Sequence, residues 1–173
     1  DIRQHFKRNG TTLICNDRDA LLNYNEEGKV WALFGDKALP YDIDRNPDKV
    51  PSLAEMTGKA IQLLSKEEEG FFLMVEGSQV DWAAHANDAA AIIHEFLAFD
   101  EAVGKAMDFA RTNGNTAVLV LADHGNSGFT IGTKNCPGYD KLSADQLFGT
   151  VSKIKLSANG IESILVNTKP GDI

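Results

Sequence analysis

An α/β domain, part of a doubly wound and mostly parallel sheet with flanking helices, is the fold class that this 173-residue sequence predicts. Two continuous apolar runs, GFFLMVEG (70–77) and TAVLVLAD (116–123), are too short for helices and read as strands buried on both faces. Between them, Ile92, Ile93, Phe96, Leu97, Val103, Met107 and Ala110 recur at helical spacing. A strand, a helix and a second strand in this order make a unit whose strands lie parallel through a right-handed crossover.

The remaining elements follow in chain order. TTLIC (11–15) and KVWALF (29–34) are short runs of strand formers closed by polar residues or Gly, and both read as strands. Residues 40–51 hold three prolines and several aspartates, which suits an irregular surface connection. Ser52 and Glu55 fit a helix-opening capping box, and Leu53, Met56, Ala60, Leu63 and Leu64 continue at three- and four-residue steps to about Lys66. The long helix is expected from about Ala83 to Arg111, closing at Asn113-Gly114-Asn115. Beyond Gly128 the pattern weakens: GTKNCPGYDK (132–141) reads as loop, Ser143 to Thr150 as a short helix and Glu162 to Val166 as a strand. The turn-like KPGDI end lacks a closing element, and the chain opens on Asp1 without an apolar signal segment, so it is expected to be cut from a longer protein.

Composition excludes several classes of function. Hydrophobic residues make up 43% and charged residues 24%, which argues against disorder and against a fibrous repeat. No apolar stretch approaches the roughly 18 residues of a membrane span. The net charge of -8 opposes binding to nucleic acid. It does not oppose binding of phosphate esters where divalent cations invert the local potential. The two cysteines, Cys15 and Cys136, lack the spacing of a zinc or redox pair, and read as buried thiols or one disulfide.

The chemistry-bearing residues gather where an open parallel sheet places its ligands, beyond the carboxyl ends of the strands. Glu76 stands where the first apolar run stops, and Asp81 and His85 follow it four residues apart, on one face of a helix. Asp123 and His124 end the second run. Neighbours on a regular strand point to opposite faces, so joint ligation by this pair requires the chain to leave strand geometry, which Gly125, Asn126, Ser127 and Gly128 permit. Carboxylates mixed with imidazoles suit zinc, and a carboxylate among oxygens suits magnesium. Any one of these groups alone is better read as a helix cap, an ion pair or a polar turn. Three acids and two histidines at one sheet edge are better read together, because cations relieve their mutual repulsion. His94, half a turn out of phase with His85, and His5 read as structural. Trp82 lines the site or packs.

VEGSQVDWAAH, with LADHG placing Asp123 47 positions after Glu76, resembles the metal-binding core of alkaline phosphatases, and Trp82 after the aspartate resembles a bacterial branch of that family. The resemblance runs from about Gly10 to Thr130, making residues 1–130 part of the family's α/β core and 131–173 the start of a variable insertion. It implies one zinc on Asp81 and His85, a second zinc on Asp123 and His124, and magnesium on Glu76. It also implies hydrolysis of phosphate monoesters through a phosphoserine, an exported location in the periplasm or outside the cell, and a possible homodimer. The Asp-Ser-Ala nucleophile motif, the Asp-Gly-Met-Gly-like strand end and a histidine beyond His124 are absent from these residues. The chain therefore resembles the middle of such an enzyme, carrying five metal ligands. Two other readings stand beside this one: a non-catalytic metal-binding module, and a phosphodiesterase or mutase of the same superfamily, against which the glutamate of VEG argues. Strand edges left open by missing segments are expected to promote self-association.

Overall fold

A computed structural model describes residues 4, 6, 9–132, 135 and 138–168 of the chain. Two compact units emerge. One comprises the described residues of Asp1–Pro40, Arg45–Glu76 and Ala98–Val120, and the other those of Tyr41–Asp44, Gly77–Leu97 and Leu121–Ile173.

The first unit opens with a β-α-β turn of chain. Strands β1 (Thr11–Cys15) and β2 (Lys29–Leu33) pair in parallel, with Thr11 opposite Lys29 and Cys15 opposite Leu33. The crossover is a short helix, α1 (Arg18–Asn23), that the sequence reading passed over. Its local signal is Asp17, whose carboxylate accepts from the Ala20 N–H at 2.8 Å and so satisfies one orphan donor of the first turn. Helix α2 (Leu53–Leu64) starts as expected: Ser52 and Glu55 form the reciprocal capping box. It lays Met56 and Leu63 onto the core of Ile14, Leu21, Tyr24 and Phe34, joined by Val30, Ala32, Leu39 and Val50. Two polar contacts fix α1 and its following turn on α2. The Arg18 guanidinium pairs with Glu55 and holds its carboxyl below the usual range. Lys59, 7% exposed, donates to the Tyr24 carbonyl at 2.9 Å and to Gln62 at 2.7 Å, which compensates its removal from water.

The two apolar runs that carried the fold class form no regular element, and neither joins a sheet: among the described residues the only ladder is β1 with β2. The expectation of strands buried on both faces is corrected. In the first run Phe71, Leu73 and Val75 are half-buried while Phe72 and Met74 are 88% and 74% exposed. In the second, Leu119 is 77% exposed. A parallel strand is buried only when neighbouring strands and the covering layers stand on both sides of it. Here one side of the first run rests on helix through Phe71, whose ring centroid lies 6.0 Å from that of Phe109. The alternation reports one covered side.

The long helix also differs from expectation, being two helices: α3 (Ser78–His85) and α4 (Ala89–Asn113). Asn87 at φ 52 takes the left-handed conformation that ends α3. Asp88 then opens α4, its carboxylate accepting from the N–H groups of Ala90 and Ala91 at 3.1 and 3.0 Å. Helical periodicity continues through the break because both helices bury small residues, so apolar spacing alone does not register it.

In the second unit Ala83 of α3 and Ala91 of α4, both fully buried, pack with Tyr41, Ile43 and Ile92. Burial, with Asp88, Glu95 and Asp44 nearby, pushes the Tyr41 phenol up. The short helix α5 (Ala144–Phe148) forms on a capping box of Ser143 and Gln146, as the sequence indicates. The expected strand at 162–166 is instead helix α6 (Ala158–Asn167). Its β-branched content suggested a strand, but Ser157 caps it, accepting from the Gly160 N–H at 2.9 Å. Asp44 accepts from both the N–H and the hydroxyl of Ser157, and Asp88 accepts from the Ala158 N–H at 2.7 Å. Gly160 is required there, since a Cβ would meet the Asp44 carboxylate at 2.5 Å.

Cys15 is exposed, which corrects its reading as a buried thiol. Cys136 and His5 lie outside the described residues, and with them the question of a disulfide. No helix among the described residues is long and apolar enough to cross a membrane.

Candidate metal centre

Helix α3 positions the first pair of expected ligands. It is anchored through Ala83 and Ala84, while Trp82 and His85 stay exposed and Asp81 is partly so. With one turn between them, Asp81 and His85 meet: Asp81 Oδ1 lies 3.5 Å from His85 Nε2. Half exposed, Trp82 does not serve the core. His94 is half-buried on α4.

The second pair lies on the loop after the second extended run. At Asp123 the chain bends out of extended geometry, as joint use of neighbouring residues requires, and His124 Nε2 comes to 3.3 Å from Asp123 Oδ2. The backbone N–H groups of His124 and of Asp123 itself hold the Asp123 carboxyl below its ordinary range, with a smaller contribution from the His124 ring. The same His124 Nε2 stands 4.0 Å from Asp81 Oδ1. Asp81 thus faces an imidazole from each motif through one oxygen.

Two carboxamides that the sequence reading did not assign to the site join these motifs. Asn126 Nδ2 donates to Asp81 Oδ1 at 2.6 Å and, more weakly, to the Asp81 carbonyl at 3.4 Å. Asn87 Oδ1 accepts from the Gly128 N–H at 2.6 Å and from the Ser127 hydroxyl at 3.2 Å. Asn126 was legible only as a loop former. Asn87, two residues beyond His85, carries no sequence signal until its left-handed conformation is known. Glu76, the fifth expected ligand, is exposed at the end of the first extended run and belongs to the other unit.

Among the described residues, no group of three or more His, Cys, Asp or Glu side chains is gathered closely enough to be a finished metal-binding cluster. The donor chemistry of the second unit nevertheless fits zinc. Two ligands of a tetrahedral zinc at ~2.0–2.1 Å lie roughly 3.3 Å apart. The 3.3, 3.5 and 4.0 Å separations among Asp123, His124, Asp81 and His85 approach that spacing. Closing a shell around an ion requires small side-chain rotations and a further ligand.

Comparison with known proteins sets this geometry in a family. The alkaline phosphatase family model matches residues 1–162. The chain belongs to the alkaline phosphatase family. It is 43% identical over 129 residues to alkaline phosphatase 3 of Bacillus subtilis, covering 75% of this chain and 27% of that protein. To the alkaline phosphatase of Escherichia coli it is 52% identical over 149 residues, covering 73% and 32%. Its fold is similar to that of the cold-active alkaline phosphatase of a psychrophilic Shewanella, with a TM-score of 0.81 at 30% identity over 97% of this chain and 39% of the other. The alkaline phosphatase of Thermus thermophilus is similar to the same degree, with a TM-score of 0.81 at 28% identity over 95% and 34%. The chain spans about a quarter to two fifths of the length of these relatives. The α/β fold class is thereby established.

Proposed function

We propose that the protein carrying this chain is a phosphate monoester hydrolase dependent on zinc and magnesium, in which Asp81 and His85 hold one zinc, Asp123 and His124 the second, and Glu76 the magnesium. The observation that carries the proposal is the convergence of His85 and His124 on the single oxygen Asp81 Oδ1, within 3.5 and 4.0 Å. Family membership supports the reaction class. When bound, the two zinc ions supply Lewis-acid stabilisation of the attacking and leaving oxygens and lower the pKa of a bound nucleophile.

The chain's own residues prepare that site. Asp123, held anionic by two backbone N–H groups, keeps its charge at acidic pH, where a free carboxyl begins to protonate. The adjacent imidazoles of His85 and His124 present Nε2 toward Asp81, the nitrogen each would offer to a metal. The reaction runs through a phosphoserine, and no serine of these residues is assigned as the nucleophile. Residues 1–130 form part of the catalytic core and 131–173 open a variable segment. Trp82 after Asp81 supports a reading as a bacterial-branch enzyme acting in the periplasm or outside the cell, on small phosphate monoesters, with nucleic acid not a partner and a homodimer the expected assembly.

The test is a substrate panel on the whole protein, with zinc and magnesium supplied or chelated. A chromogenic phosphate monoester is expected to turn over only with metal. Turnover of diesters or sulfate esters in preference to monoesters would overturn the assignment in favour of another member of the superfamily.

A further inference from the structure

Three non-glycine residues among those described have positive φ: Asn16 (52), Asn87 (52) and Ser127 (79). Two of the three touch each other. Such conformations persist where surrounding contacts over-determine them, commonly at functional sites. Asn87 lies between His85 and α4, and Ser127 lies three residues beyond His124, so the strained pair joins the two metal-binding motifs 40 residues apart in sequence. The contact is close: a Cβ at Gly128 would come to 3.3 Å from Asn87 Oδ1, tighter than ordinary van der Waals contact. The assignment of the carboxamide is fixed by its partner, because the Gly128 N–H can only donate. Its other end, Nδ2, reaches the His85 carbonyl at 3.4 Å.

We propose that Asn87 is a positioning residue of the metal centre, its amide oxygen clamping the Asp123–Gly128 loop onto the end of α3 and so setting the spacing between the Asp81–His85 and Asp123–His124 pairs. The assignment rests on the reading of these four residues as zinc ligands. The other described ties between the loop and α3, from Asn126 and His124, both go to Asp81 and centre on Oδ1, the oxygen a metal would claim. The Asn87 contacts go to the Gly128 N–H and the Ser127 hydroxyl, and so would hold the loop through groups that no zinc ligand supplies. Partners one step removed from a metal alter its affinity by about 10–100-fold when lost.

The experiment uses the whole protein and zinc alone as probe, with affinity read by competition against a chromogenic chelator and folding read by thermal unfolding of the metal-free form. Asn87→Gly removes the acceptor while allowing the left-handed backbone, and Asn87→Asp restores an acceptor oxygen in a residue that tolerates that backbone. The expected result is a loss of zinc affinity of about 10–100-fold in Asn87→Gly at an unchanged melting temperature, with most of the loss recovered in Asn87→Asp. Zinc binding by the parent together with an unchanged affinity in Asn87→Gly would overturn the positioning role and leave the metal reading intact. Equal losses in both variants accompanied by a lowered melting temperature would also overturn it, marking a structural contact only. Failure of the parent itself to bind zinc would overturn the metal reading, and this assignment with it.

Discussion

Within the first unit, the β1-α1-β2-α2 region and the two extended runs are built from equally apolar sequence and end in opposite states. Ile14, Leu21, Tyr24 and Phe34 are each at most 8% exposed, whereas Phe72, Met74 and Leu119 are 74% exposed or more. The difference is one of partners. In the first region the strand neighbour, the crossover helix and the covering helix are all supplied within about fifty residues, so Ile14, Leu21, Tyr24 and Phe34 find packing surface, while Trp31 and Leu33 on the other side of β2 stay 51% and 45% exposed. The two runs 70–77 and 116–123 join no ladder among the described residues. Hydrophobic patterning therefore reports what a segment needs around it, and burial follows only where that surrounding is present.

The contrast can be broken most forcefully at the closed core. Phe34→Ala is expected to destabilise the protein by about 3–5 kcal/mol, read by denaturant unfolding, because it opens a cavity that α2 cannot collapse into. A cost below ~1 kcal/mol would show that this core is as loosely held as the open runs. Next in size, Asp44→Ala leaves the buried N–H and hydroxyl of Ser157 without their acceptor, at a cost of about 1–3 kcal/mol. Loss of amide-exchange protection confined to the start of α6 would locate the effect.

A smaller effect, with a pH signature, is expected at the capping box. Glu55→Ala removes the acceptor for the Ser52 N–H and should cost about 1 kcal/mol at neutral pH. Because Arg18 lowers the folded-state pKa of Glu55 below its unfolded value, its contribution is complete above the ordinary glutamate range and is lost as pH falls through the folded value. The difference between parent and variant should shrink accordingly in acid. Smallest of all, Phe72→Ser should change stability of the 173-residue chain by no more than about 0.5 kcal/mol while reducing its self-association by light scattering. A large destabilisation would mean that the run is packed after all.

What was legible in the sequence follows the same division. Local signals held: the Ser52–Glu55 capping box starts a helix where it stands, the short helix expected within Ser143 to Thr150 forms, and the 11–15 and 29–33 strand formers pair. Short-range side-chain spacing held too, since the i,i+4 step brings Asp81 and His85 together and the bend at Asp123 brings in His124. Three features depended on non-local contacts and were not legible. The break between α3 and α4 rests on a left-handed Asn87 bound to Gly128, the helicity of 158–167 rests on Asp44 and Asp88 gripping its first turn, and the exposure of the apolar runs rests on absent neighbours. Asn87 and Asn126 escaped notice for a related reason: a carboxamide acquires a role from what lies opposite it in space, and both partners are more than forty positions away.

The central claim is that Asp81, His85, Asp123 and His124 are the ligands of two zinc ions, and anomalous X-ray scattering at the zinc edge from crystals of the whole zinc-loaded protein tests it most directly. The account requires two peaks, one within ~2.0–2.2 Å of Asp81 and His85 and the other within the same distance of Asp123 and His124. Zinc found away from these four side chains, or a crystal of the zinc-loaded protein with no peak beside them, would contradict it.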